Sequence, residues 1–185
     1  MPGPGGRTRI GARQPASVLH GPARTVALIL HVLASAAWFG IAVSVVIITT
    51  TAATTADESF AHDLYRVLAA SPRVSVTAGL LGIATGAVLG LGTQWGLIRH
   101  WWVVGKILLA VIVVGTDAVI ISAVASDALA TGRPAPPLFG ATSAHAVLLV
   151  IATALAVIKP RGLTPWGRRV LPAGRRLLRP ATGEN

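Results

Sequence analysis

Four stretches of the chain are almost free of charge: Val26–Ile48, Val74–Leu91, Val103–Val124 and Ala144–Ile158. At a rise of ~1.5 Å per residue, the first and third cover the ~30 Å hydrocarbon core of a bilayer. The second and fourth lie near the lower limit for spanning and need flanking small polar residues at their ends. This pattern predicts an all-α polytopic membrane protein, a four-transmembrane-helix bundle. Between the first two spans, Thr55 and Glu58 fit a capping box, and Phe60, Leu64, Val67 and Leu68 share one face. That spacing predicts a short interfacial helix in the first outer loop, lying on the membrane surface. Ser71 and Pro72 then read as the N-cap and first residue of the second span. The segment with Gly132, Pro134, Pro136 and Pro137 reads as a non-helical outer loop. Thr142 or Ser143 caps the fourth span, and Pro160 marks its end.

Charge places these elements relative to the membrane. The 185-residue chain is 53% hydrophobic and only 12% charged, a balance foreign to an ordinary soluble domain. Its net charge of +10 is concentrated in alternate segments. One set holds Arg7, Arg9, Arg13 and Arg24, then Arg99 and Lys106, then Lys159, Arg161, Arg168, Arg169, Arg175, Arg176 and Arg179. The other set mixes Arg66, Arg73 and Arg133 with Asp57, Glu58, Asp63 and Asp127. Lys and Arg are retained on the cytoplasmic side, so both termini are expected in the cytoplasm, in a bacterial cell membrane. Residues 1–23 read as a disordered basic tail, 24–160 as the transmembrane domain and 161–185 as a second basic tail. Because the basic residues flank hydrophobic spans, no nucleic-acid partner is expected. The partners expected are the bilayer itself and anionic lipid along the C-terminal tail, where Leu171, Leu177 and Leu178 interleave with arginine. The chain has no cysteine, which excludes disulfides, thiolate chemistry and Cys-ligated metal.

Gly82, Gly86 and Gly90 recur every four residues in the second span, with Ser75 and Gly79 as a further small pair. Such a face lets another backbone approach closely, either inside the bundle or in a homo-oligomer. Trp95, Trp101 and Trp102 fit an aromatic belt around the turn after this span.

The chemistry-bearing residue is Asp117, set inside the third span. A carboxylate there is costly unless it faces a partner or a polar cavity. Asp117 and His145 fall on consecutive antiparallel helices in the same leaflet, His145 at the very start of its helix. Two readings compete. In one they form a proton-handling or cation-handling pair, since imidazole titrates near neutrality. In the other Asp117 is a neutral acid bonded to a hydroxyl such as Ser122 or Thr116, and His145 is wetted at the interface. Two ligands alone make a poor metal site. No nucleophile–base arrangement appears, so no catalytic residue is expected.

The stretch from Leu30 through His31, Trp38 and Gly40 resembles the first helix of copper-resistance-D-like membrane proteins, and remotely the four-helix protoporphyrinogen oxidases. Thr85-Gly86, the run Gly90–Leu97, Trp102–Lys106, Lys159-Pro160 and Thr164–Arg169 resemble an uncharacterised bacterial family of predicted integral membrane proteins. The resemblance spans roughly Leu30 to Arg169. It implies four helices in the cytoplasmic membrane, with no activity attached. A second functional reading comes from the histidines: a haem-associated redox protein in which His31, with His100 toward the same inner side, would hold haem b. In the first reading no cofactor is needed.

Overall fold

The computed structural model describes residues 19, 21–92, 97–133, 135–160 and 162–170. Among these residues, regular structure is helical apart from one isolated bridge between His100 and Leu163. Helix α1 runs Gly21–Thr54, α2 Glu58–Gly92 and α3 Trp101–Thr116. A π-helical turn, Asp117–Ile121, carries α3 into α4, Ser122–Thr131. The last two helices are α5, Pro136–Ile158, and the short α6, Pro165–Val170. Counting α3, the π-turn and α4 as one rod, four helices are long and apolar enough to cross a membrane. The protein is therefore a multi-pass membrane bundle. α1 packs on α2 and α5, and the α3–α4 rod also packs on α2 and α5. The four rods close a ring, and the space at its centre is bounded by all of them.

Every rod is longer than its apolar stretch. The large exposed apolar side chains cluster accordingly: from Val26 to Ile47 on α1, Val74 to Leu91 on α2 (with Phe60 and Val67 exposed beyond it), Trp101 to Ile120 on the third rod, and Phe139 to Ile158 on α5. Each band spans about 20 residues, the thickness of a hydrocarbon core. Beyond the band, at the end bearing Asp57, Glu58, Asp63 and Asp127, the rods continue into a second apolar cluster. Ala52, Tyr65, Leu68, Ile121, Ala125, Ala128 and Leu138 are buried there against one another. The cluster nearer the middle of the band consists of Trp38, Ala42, Val113 and Leu149.

This extension corrects the sequence expectation of an interfacial helix. Residues 58–71 are the first turns of α2, and Tyr65, Leu68 and Pro72 are buried in the bundle. Proline interrupts a helix by leaving the carbonyl four residues back without its N–H. Here the Ser71 hydroxyl donates to that carbonyl, Leu68 O, at 2.8 Å, and the helix continues. Asp57, not Thr55, caps α2: its Oδ1 accepts from the backbone N–H groups of Ser59 at 2.9 Å and Phe60 at 3.1 Å. The Ser59 hydroxyl, then the Phe60 amide, hold the Asp57 carboxyl below the usual carboxylate range. The threonine-rich end of α1 is helical, and Thr49, Thr50, Thr51 and Thr54 each satisfy their hydroxyls on the carbonyl four residues back. α5 begins at Pro136, well before Thr142 and Ser143, because prolines at the first two helical positions need no hydrogen-bonded N–H. Gly21–Ala23, read as tail, already belong to α1. Residues 1–18 and 20 of that tail, Trp95, and residues 171–185 lie outside the described residues.

The opposite end is closed by the start of the second tail. Thr164 caps α6 by accepting from Gly167 N–H at 3.0 Å, with Pro165 at the first helical position. The Thr164 hydroxyl donates to Ile98 O at 2.6 Å, and its N–H to Arg99 O at 3.1 Å. Six residues of helix docked in this way leave Trp101 and Trp166 exposed at the rim of the apolar band.

The glycine face of α2 is filled from within. A Cβ added at Gly82 would stand 3.9 Å from Trp38, and one at Gly86 3.0 Å from His31, both on α1. One at Gly90 would meet Leu97 at 2.5 Å, in the turn beyond the helix. Gly79 is tighter against the neighbouring rods than Gly82 or Gly86, with Val114 at 2.5 Å and Trp38 at 2.8 Å. Any contact between copies of this chain would use another surface.

Candidate functional site

Asp117 is buried at the first residue of the π-turn. A π-turn fits an extra residue into the helical ladder and rotates the helix beyond it, and such turns gather at functional sites. Here the Asp117 backbone N–H is shared between the carbonyls of Val113 and Val114. The side chain enters the centre of the ring, where both carboxylate oxygens are engaged. Oδ2 accepts from the Ser75 hydroxyl at 2.5 Å, and Ser75 accepts in turn from Trp38 Nε1–H at 3.1 Å. Oδ1 lies 2.9 Å from His145 Nδ1. On the far side of the imidazole, Nε2 lies 2.6 Å from the Thr116 hydroxyl. One polar chain thus runs Trp38–Ser75–Asp117–His145–Thr116 and ties all four rods together.

The structure joins the two Asp117 readings of the sequence and alters both. Asp117 has a hydroxyl partner, but it is Ser75 on α2, not Ser122 or Thr116. His145 is buried at 7% exposure and is not wetted at an interface. It sits nine residues inside α5, roughly 13 Å from the helix start, because that helix begins at Pro136. Two members of the chain, Trp38 and Ser75, were visible in the sequence only as part of the first helix's family resemblance and as half of a small-residue pair.

Two protonation levels satisfy the same contacts, and at the higher one the added proton sits either on the imidazole or on Asp117 Oδ1. With a neutral imidazole, Nδ1–H donates to the carboxylate, Nε2 accepts from the Thr116 hydroxyl, and the buried cluster carries one negative charge. With an imidazolium, both ring nitrogens donate. Thr116 then turns its hydrogen to Ile112 O, 2.8 Å away, and the cluster is neutral. The two states differ by one proton and one hydroxyl rotation. A lone buried charge is costly and a compensated one far less so, which is why the cluster has reason to hold a cationic charge beside Asp117.

A cavity of about 20 Å³ adjoins the cluster. It is lined by residues of all four rods, with Ser71, Ser75, Asp117, Thr142 and His145 as its polar members. On the third rod the apolar band ends close by, at Ile120, so the cavity lies near the acidic rim of the band.

His31 is placed elsewhere. Its Nδ1 contacts Gly82 O and the Thr85 hydroxyl, each at 3.1 Å, and its ring packs on α2 at Gly86. His100 precedes α3, with its ring 6.2 Å from that of Trp102. Lys106 lies 5.3 Å over the same Trp102 ring. His31 thus packs on α2, while His100 stands just before α3. Among the described residues no group of three or more His, Cys, Asp or Glu side chains is arranged to hold a metal ion. Comparison with family models, curated proteins and solved structures finds no match to this chain.

Proposed function

We propose that this protein is a multi-pass protein of the bacterial cytoplasmic membrane that takes up and releases a proton at the Asp117–His145 pair. The observation that carries this reading is the 2.9 Å contact between the carboxylate and His145 Nδ1, with the Thr116 hydroxyl on the other nitrogen. An imidazole gripped at both nitrogens can change its proton count without moving a heavy atom. Trp38 and Ser75 fix the carboxylate, so the pair is pre-organised for both states.

The test is nuclear magnetic resonance of ¹⁵N-histidine-labelled protein in detergent solution. Across an acid-to-neutral pH series His145 should pass between an imidazolium pattern, with both nitrogens protonated, and a neutral ring. A His145 that keeps one unchanging pattern throughout the series would sink the proposal.

Both termini belong on the cytoplasmic side in this reading, since Arg24, Arg99, Lys159 and Arg168 share one end of the bundle and Asp57, Glu58 and Asp127 the other. Reporters fused after Arg169 and after Gly132 should then report opposite sides, the first cytoplasmic. An external signal from the Arg169 fusion would invert the model.

A further inference from the structure

At the end of the bundle opposite the acidic loops, positive charge gathers with no carboxylate beside it. Among the described residues the carboxylates are Asp57, Glu58, Asp63 and Asp127 at the acidic end and Asp117 in the ring. The basic end holds Arg24, Arg99, Lys106, Lys159 and Arg168. Two of these cations share the seam between α3 and α5. The two helices touch there, since a Cβ added at Gly105 would stand 3.7 Å from the Leu155 side chain. Lys106 follows Gly105 directly. Lys159 lies one turn beyond Leu155, whose carbonyl accepts the Lys159 N–H at 3.2 Å. The two ammonium groups are close enough for their like charges to repel.

Lys106 is half-buried, five residues into α3 and roughly 7–8 Å along its axis. Its Nζ lies 5.3 Å over the ring of Trp102, one turn nearer the helix start. That is the posture of a lysine reaching for the headgroup layer. α5 stops at Lys159, which adopts a left-handed φ of 47°. The chain then returns to the start of α3, where Gly162 O accepts from Trp101 N–H at 3.4 Å. Beside the two lysines, Trp101, Val157 and Ile158 are exposed on the apolar band.

A ligand that fits this seam brings negative charge to the ammonium groups and apolar chains to the exposed side chains. Free phosphate supplies only the charge. A zwitterionic lipid supplies the chains but carries a cation of its own toward the lysines. An anionic phospholipid supplies both, and its phosphate oxygens accept charge-assisted hydrogen bonds. Basic recesses between membrane helices at the cytoplasmic face hold such headgroups.

We propose that the α3–α5 seam at Lys106 and Lys159 is a binding site for one anionic phospholipid, with its phosphate between the two ammonium groups and its acyl chains along Val157 and Ile158. The inference does not depend on the Asp117–His145 reading, which concerns the other rim of the band.

The experiment adds phosphatidylglycerol, or phosphatidylcholine with the same acyl chains, to the full-length protein in a neutral detergent. Native mass spectrometry then counts the lipid retained. One phosphatidylglycerol should bind with an apparent affinity roughly tenfold or more above that of phosphatidylcholine. Lys159→Gln and Lys106→Gln should each cut that preference about fivefold. Arg66→Gln, the same change of net charge at the acidic end, should leave it intact. Lys159 is exposed at a helix end, so its variant carries the test if Lys106→Gln does not fold. Equal retention of the two lipids, or a preference undiminished in Lys159→Gln, overturns the site. An equal loss in Arg66→Gln would reduce the effect to net charge and overturn it too. Excess inorganic phosphate should not displace the lipid; displacement would assign the seam to a free anion instead.

Discussion

Replacing Gly79 by alanine is expected to destabilise the bundle by about 1–3 kcal/mol through overpacking, whereas the same change at Gly40 or Gly115 is expected to stabilise it by roughly 0.5–1 kcal/mol. The opposite signs come from what the new methyl meets. At Gly40 and Gly115 nothing lies within 4 Å, so only the helix preference for alanine is felt. At Gly79 the methyl would stand 2.5 Å from Val114 and 2.8 Å from the Trp38 ring. Neither neighbour is free to withdraw, since Val114 packs on the central cluster and Trp38 is buried with its indole N–H bonded to Ser75. Displacing Trp38 also loosens the donor that holds Ser75 on Asp117. Unfolding titrations of the parent and the three variants in one detergent give the comparison. A Gly79→Ala protein as stable as Gly115→Ala would mean that α1 and α3 approach α2 less closely than described.

Removing the carboxylate should be costlier still. Asp117→Ala is expected to lose about 3–5 kcal/mol, the usual penalty for stripping one partner from a buried pair. It leaves His145 Nδ1 and the Ser75 hydroxyl without their acceptor, and both groups are buried. Asp117→Asn keeps the volume and one acceptor oxygen and should lose less. The diagnostic is non-additivity: once Asp117 is gone, His145→Ala should cost much less than it does in the parent. Equal costs for His145→Ala in both backgrounds would show that the pair contributes no coupling to the fold.

The sequence exposes the lipid-facing part of this fold because bilayer thickness acts directly on composition. The apolar runs Val26–Ile48 and Val74–Leu91 nearly coincide with the exposed apolar bands on α1 and α2. Where the helices leave the band, the constraint changes from lipid to neighbouring protein, and hydropathy no longer marks the ends. Residues 58–71 are amphipathic in either case. What decides is whether Tyr65 and Leu68 meet a headgroup layer or Ala125, Ala128 and Leu138, and only the packed bundle settles that. Pro72 reads as a helix start because a proline's missing hydrogen bond is legible in sequence, while the Ser71 hydroxyl that replaces it is not. The misplaced start of α5 is what put His145 at a surface.

Asp117 and His145 could be paired from sequence because ionisable groups are scarce in apolar spans. Ser75 and Trp38 could not, since hydroxyls and indoles are common in membrane helices for packing and belt reasons. The π-turn has no sequence signature in the run Asp117–Ile121, although it is what brings the carboxylate into the ring.

The position of the cavity near one rim of the apolar band has an electrical consequence. Asp117 lies three residues from Ile120, where the band ends on its rod. A proton reaching the pair from the acidic end would therefore cross roughly 5 Å of a ~30 Å core. A full traverse is worth about 2.3 kcal/mol per charge at 100 mV, so this shallow entry draws only about 0.4 kcal/mol from the same field. Occupancy of the pair would track the composition of the solution it faces, and would be nearly blind to membrane voltage.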